Sequence, residues 1–147
     1  MADRTIWLAL DIGTTGTKTA LLSDTRAVLA SAYRGYATCS AESGVMEQNA
    51  ADWWQAAREA ARELTPQIEP GSRVRIAITG QMQDTILVDK DGEALRPVLL
   101  YSDTRARAEA DEINTAFEAG SLRGWTGNES DAGSLPAKLL WLKRHEP

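Results

Sequence analysis

Residues 5–11, Thr-Ile-Trp-Leu-Ala-Leu-Asp, are almost unbroken apolar sequence. That is the pattern of a strand buried on both faces, and it is expected at the centre of a sheet. Gly13 and Gly16 interrupt the pattern and residues 17–23 resume it, which predicts a hairpin. Asp24-Thr25-Arg26 reads as a second tight turn, followed by a strand over about 27–38. Three sequential antiparallel strands therefore open the chain.

A 3.6-residue period then takes over. Asn49 is a candidate N-cap, Asp52 stands three residues later, and Trp53, Ala57, Ala60 and Leu64 recur on one stripe. This helix should stop near Thr65-Pro66. Residues 73–79 alternate, with Val74, Ile76 and Ile78 on one face, as a strand covered on that face would. Further strands are expected over 84–89 and 98–101, separated by the turn Lys90-Asp91-Gly92. A helix is expected from Asp103 to Gly120 on the stripe Ala106, Ala110, Ile113 and Phe117, and a last one from Ser134 on Leu135, Leu139 and Leu142. No helix fits between residues 11 and 17, so a purely parallel doubly wound sheet is excluded. The fold class is α/β with a mixed sheet.

Composition narrows the chemistry. The 147 residues are 43% hydrophobic and 25% charged, with a formal net charge of -5. That balance suits a folded domain that takes a small molecule. It opposes sequence-independent nucleic-acid binding, which needs a basic face to release counterions. No apolar run is long enough to cross a bilayer, and the first residues lack the layout of a signal peptide, so no membrane partner and a cytoplasmic location are expected. With one cysteine, Cys39, and one histidine, His145, neither an internal disulfide nor a Cys/His zinc site can form.

The stretch Asp11-Ile-Gly-Thr-Thr-Gly-Thr-Lys18 carries the most chemistry. An acid at the end of an apolar strand is followed by two glycines and three threonines. Backbone N–H groups and hydroxyls of Gly13, Thr14 and Thr15 can cradle phosphate oxygens, Asp11 can orient a hydrated metal ion, and Lys18 adds a cation. The loop is not a Walker A motif, because Lys18 leads into a strand rather than a helix. A carboxylate buried at a strand end is costly without a partner, which favours a functional Asp11.

With three further segments, the chain resembles the FGGY family of carbohydrate kinases, xylulokinases in particular. The segments are Gly44-Val-Met-Glu-Gln-Asn-Ala-Ala-Asp-Trp-Trp54; Ile78-Thr-Gly-Gln-Met-Gln-Asp84 with Leu95-Arg-Pro-Val-Leu-Leu-Tyr-Ser-Asp-Thr-Arg105; and Thr126-Gly-Asn128 leading to Lys138-Leu-Leu-Trp141. The resemblance implies a ribonuclease-H-like fold, shared with actin and Hsp70, and incomplete here. Residues 1–147 would be the sugar- and phosphate-binding N-terminal domain, cut short, with the C-terminal domain absent. It implies ATP and Mg²⁺ as cofactors, with Asp11 at the metal and Gly13, Thr14, Thr15 and Lys18 at the phosphates. It implies a sugar, a pentulose such as xylulose, against Gln81, Met82, Gln83, Tyr101, Asp103 and Arg105. A homodimer would belong to a full-length form.

Two positions depart from the xylulokinase pattern. Met82-Gln83 stands where Met-His is usual, so the site keeps a donor and an acceptor but no titratable ring. Tyr101 occupies a place often held by Trp. Structural alternatives exist for the remaining wall: Asp103 as an N-cap, and Arg105 paired with Glu109 at i,i+4 spacing. In the family the general base is a later Asp, so the isolated chain is expected to lack turnover; Asp84 is the local substitute to weigh. The competing function is a non-catalytic sugar- or nucleotide-binding module on the same fold.

Overall fold

The computed structural model describes residues 4–40, 44–117 and 121–146. In chain order its elements are β1 (Thr5–Ile12), β2 (Gly16–Leu22), β3 (Val28–Gly35), β4 (Glu47–Gln48), α1 (Ala50–Leu64), a 3-10 turn (Thr65–Gln67), β5 (Arg73–Gly80), β6 (Val98–Leu99), α2 (Arg107–Ala116), α3 (Ser121–Thr126) and α4 (Leu135–His145). They fall into two compact units. The first comprises Met1–Ala37 and Ala50–Gln81, the second Thr38–Asn49 and Met82–Pro147.

The first unit is a four-stranded mixed sheet in the order β3-β2-β1-β5. The expected antiparallel opening is present, β1 with β2 and β2 with β3, and β5 joins β1 in parallel. Helix α1 packs over β1, β2 and β3. Its small residues Ala56, Ala57 and Ala60 let it approach closely, and Leu64 ends the stripe. Ile6, Leu8, Leu21, Ala32, Ala60 and Leu64 form the core between them. Full burial of a leucine such as Leu21 or Leu64, each 1% exposed, contributes roughly 1.5–3 kcal/mol. Asp52 in the first turn of α1 and Arg62 in the last complement the helix dipole.

Two expectations about this sheet are corrected. Strand β1 is buried on the α1 face through Ile6 and Leu8, whereas Trp7 on the other face is only half-covered. Val74, Ile76 and Ile78 pair with Ile6, Leu8 and Leu10 and so share the α1 face, as the alternation indicated. They are nevertheless 44%, 63% and 69% exposed, because β5 is the edge strand and α1 lies over the three strands before it.

The second unit is built around the short antiparallel pair β4 and β6 and the packing of α2 on α4. Ala106, Ala110 and Ala137 make the contact, flanked by Ile113 and Trp141. Several expected bounds shift here. Residues 84–89 do not form a ladder; they make only the isolated bridges Thr85↔Leu99 and Val88↔Ala94. The Asp89 carboxylate draws in the Asp91 and Glu93 amides at 2.8 and 2.9 Å, a local turn that competes with strand pairing. Helix α2 starts at Arg107 rather than Asp103 and gives way to extended backbone at Phe117. The expected stop at Gly120 lies outside the described residues, and α3 was not anticipated. In α4 the buried positions are Ala137, Lys138 and Leu142, while Leu135 and Leu139 are 51% and 46% exposed.

Candidate functional site

In the first unit, Asp11 lies opposite Lys18 on β2 and Thr79 on β5. Both Asp11 and Lys18 are exposed, so the expected burial of Asp11 is corrected: the carboxylate stands at the strand end where the sheet opens to solvent. The loop beyond it is closed by the Gly13 amide on the Gly16 carbonyl at 3.1 Å. Two tyrosines that the sequence reading passed over hold its carbonyls from behind. The Tyr33 hydroxyl donates to the Thr15 carbonyl at 2.8 Å, and the Tyr36 hydroxyl donates to the Gly13 carbonyl. Gly16 is required by packing, since a Cβ there would collide with the Arg34 carbonyl and the Tyr33 ring. These bonds engage one of the two lone pairs on each of the Thr15 and Gly13 carbonyls and so fix the course of the loop.

One exposed carboxylate beside threonine hydroxyls fits a hydrated magnesium ion, which accepts oxygen ligands and keeps several waters. Among the described residues no cluster of three or more His, Cys, Asp or Glu could hold a metal. The site is therefore not an all-protein metal cage.

Gln81 also belongs to the first unit, where its amide donates to the Ile12 carbonyl at 3.0 Å. The other residues assigned to the sugar belong to the second unit. Met82 is 79% exposed. Gln83 is exposed and adopts φ 63°, a left-handed conformation uncommon outside glycine. Gln83 and half-exposed Tyr101 line one cavity of about 450 Å³ together with Arg107, Asn114 and Asp131. Asn114 fixes the far side by bonding the Ser130 carbonyl at 2.8 Å and the Ser130 amide at 2.9 Å. Gly133 closes against Tyr101, whose carbonyl a Cβ there would strike.

Asp103 and Arg105 are not on that surface. Asp103 is fully buried and accepts from the Met46 amide at 2.8 Å and from Arg105 Nη2 at 2.7 Å. Arg105 also reaches Glu47 at 2.7 Å and lies over the Trp141 ring at 4.9 Å. Burial acts to lower its pKa, but the hydrogen bonds to Asp103 and Glu47 outweigh it and hold the guanidinium above its ordinary value. Neither structural alternative applies: Asp103 does not cap α2, whose N-cap is Ala106, and the partners of Arg105 are Asp103 and Glu47.

Lys138 is the residue that sequence reasoning missed. It is fully buried in α4 and donates to the carbonyls of Gln83 at 3.1 Å and Leu100 at 2.7 Å, with Leu99 at 3.5 Å. Its place four residues before Leu142, among apolar neighbours, was the available signal.

Comparison with known proteins connects these features. Residues 6–147 match the model of the FGGY family of carbohydrate kinases, N-terminal domain. The chain belongs to the FGGY family. It is 30% identical over 139 residues to a xylulose kinase of Staphylococcus xylosus, covering 95% of this chain and 29% of that protein. It is 34% identical over 148 residues to a glycerol kinase of Dechloromonas aromatica, covering 95% and 28%. The crystal structure of xylulose kinase from Rhodospirillum rubrum superposes with a TM-score of 0.84 at 34% identity, covering 95% of this chain and 29% of that one. The FGGY chain thus spans under a third of the length of these relatives. Its mixed sheet and flanking helices are those of the ribonuclease-H-like fold shared with actin and Hsp70. Among the described residues, no helix is long and apolar enough to cross a membrane.

Proposed function

We propose that this chain is the sugar- and phosphate-binding part, residues 1–147, of the N-terminal domain of a cytoplasmic kinase. That kinase transfers the γ-phosphoryl group of ATP to a hydroxyl of a sugar, a pentulose such as xylulose. The observation that carries the reading is the polar cavity lined by Gln83 and Tyr101. Its volume suits a small ligand, and its mostly polar lining, with Gln83, Arg107, Asn114 and Asp131, can fix hydroxyls while the Tyr101 ring covers a sugar face.

Phosphoryl transfer needs alignment and charge neutralisation more than covalent chemistry. Asp11 would hold Mg²⁺, which when bound offsets phosphate charge; Gly13, Thr14, Thr15 and Lys18 would meet the phosphates. Gln81, Met82, Gln83 and Tyr101 would orient the sugar, with Asp103 and Arg105 supporting that wall from inside the second unit. Asp84 is a poor base, because its carboxylate is turned to the Tyr101 amide at 2.7 Å. A base must reach the proton that it accepts. The family resemblance assigns that role to a later Asp, so residues 1–147 alone are expected to show no turnover.

The test is a thermal-shift screen of the chain against ketopentoses, aldoses, polyols and Mg-ATP. A ligand at a hundred times its Kd stabilises by about 2.7 kcal/mol, on the order of 5–10 °C for this size. The expected result is a ketopentose shift abolished by Gln83→Ala and an Mg-ATP shift abolished by Asp11→Asn. Sugar shifts that survive Gln83→Ala, or steady phosphorylation by the 147-residue chain, would contradict the reading.

A further inference from the structure

A buried lysine costs free energy, and a methionine of similar length would fill the same space in α4 without that cost. What the ammonium of Lys138 obtains in return is specific. Its acceptors are the carbonyls of Gln83, Leu99 and Leu100, backbone groups in the two segments that present Gln83 and Tyr101 to the cavity. The first segment carries the left-handed Gln83, a conformation that persists only where the surroundings hold it. The second is tied back to the first by the Tyr101 amide on Asp84 Oδ1. Lys138 and Asp84 thus cross-brace the two segments.

We propose that Lys138 is a positioning residue for sugar binding, setting the places of Gln83 and Tyr101 through the carbonyls of Gln83 and Leu100. The proposal rests on reading the Gln83–Tyr101 cavity as the sugar site. The ammonium itself touches backbone, and it acts on the ligand through the two side chains that it places. Asp103, Asp84 and Asp131 favour its charge, while burial and Arg105 oppose it, burial most strongly, so its pKa lies below the ordinary lysine value.

The experiment compares the wild-type chain, Lys138→Met and Lys138→Arg, all labelled with ¹³C and ¹⁵N. It records the melt, the backbone signals of Gln83, Asp84, Leu100 and Tyr101, and the Kd for D-xylulose. For Lys138→Met the expected result is a cooperative melt, displaced signals at those four residues, and about tenfold weaker sugar binding. Lys138→Arg, which keeps the charge and the donors, should recover part of both. Unmoved signals, or moved signals with unchanged Kd, would overturn the proposal. A wild type that binds no sugar would refute the reading of the cavity, and the backbone signals would still decide whether Lys138 sets the two segments. If Lys138→Met fails to fold, an alkaline titration of the wild type decides. The carbonyl ¹³C signals of Gln83 and Leu100 should follow the Lys138 ¹³Cε signal, and flat carbonyls while Lys138 titrates would reject the brace.

Discussion

The Tyr101 amide donates to Asp84 Oδ1 at 2.7 Å, which draws inward a carboxylate adjacent in sequence to Gln83. Asp84 Oδ2 is buried without a hydrogen-bond partner among the described residues. Burial raises the pKa of the group above 3.8, against the lowering effects of the Tyr101 amide and Lys138. A raised folded-state pKa means that the native chain binds the proton more tightly than the unfolded chain. The stability it contributes is complete below 3.8 and is lost as pH rises through the folded value. Wild type should therefore gain on Asp84→Asn as pH falls from neutral to about 4. Paired melting curves check this, and a Tm difference that stays constant with pH would contradict it.

Arg105→Ala should be the most damaging substitution in the second unit. It leaves Asp103 fully buried without its guanidinium and removes one of two arginines from Glu47, the other being Arg96. Breaking a buried pair from one side costs about 3–5 kcal/mol, or about 10 °C at this size. Arg105→Lys keeps the charge without the planar fork and should fall between. Circular-dichroism melts of the three chains rank them, and a Tm for Arg105→Ala near that of wild type would remove the cluster's structural role.

Gly13 and Gly16, at the turn from β1 into β2, should respond differently to alanine. At Gly16 the new methyl group meets the Arg34 carbonyl and the Tyr33 ring, whereas at Gly13 the nearest atom is the Gly16 carbonyl oxygen at 3.4 Å. Overpacking of the first kind costs about 1–3 kcal/mol. Gly16→Ala should melt several degrees lower and Gly13→Ala close to wild type. Equal losses at both positions would show that the Tyr33 contact does not restrict the turn.

Ile76→Lys tests the open face of β5. An edge strand with apolar side chains is a template for association, and Ile76 is 63% exposed. The charge should reduce self-association in light scattering and change stability by no more than about 0.5 kcal/mol, as is usual for surface positions. A large fall in Tm would mean that the face is covered in solution.

How much of this was legible depended on whether the signal was local. Residues 5–11, 17–23 and 50–64 carry their pattern within one element, and β1, β2 and α1 formed close to the expected bounds. The alternation of Val74, Ile76 and Ile78 identified the right face of β5, but it carries no information on how far α1 extends across the sheet. Asp103 and Arg105 were singled out through the family resemblance alone, and Glu109, the partner weighed for Arg105, gives way to Asp103 and Glu47. Glu47, the partner that organises them, is 58 residues from Arg105. Lys138 is the converse case: a single polar residue on an apolar helix stripe looks like an interruption until its carbonyl partners are known.

The left-handed backbone at Gln83 restricts what evolution or an engineer can place there. Glycine, asparagine, aspartate and histidine tolerate that region, while valine, isoleucine and threonine pay for their branched Cβ. Histidine, usual at this position in xylulokinases, is within that set, so exchange between the two chemistries needs no rebuilding of the loop. The repertoire at position 83 is therefore short and mostly polar, chosen by a torsion angle before any contact of the side chain is considered.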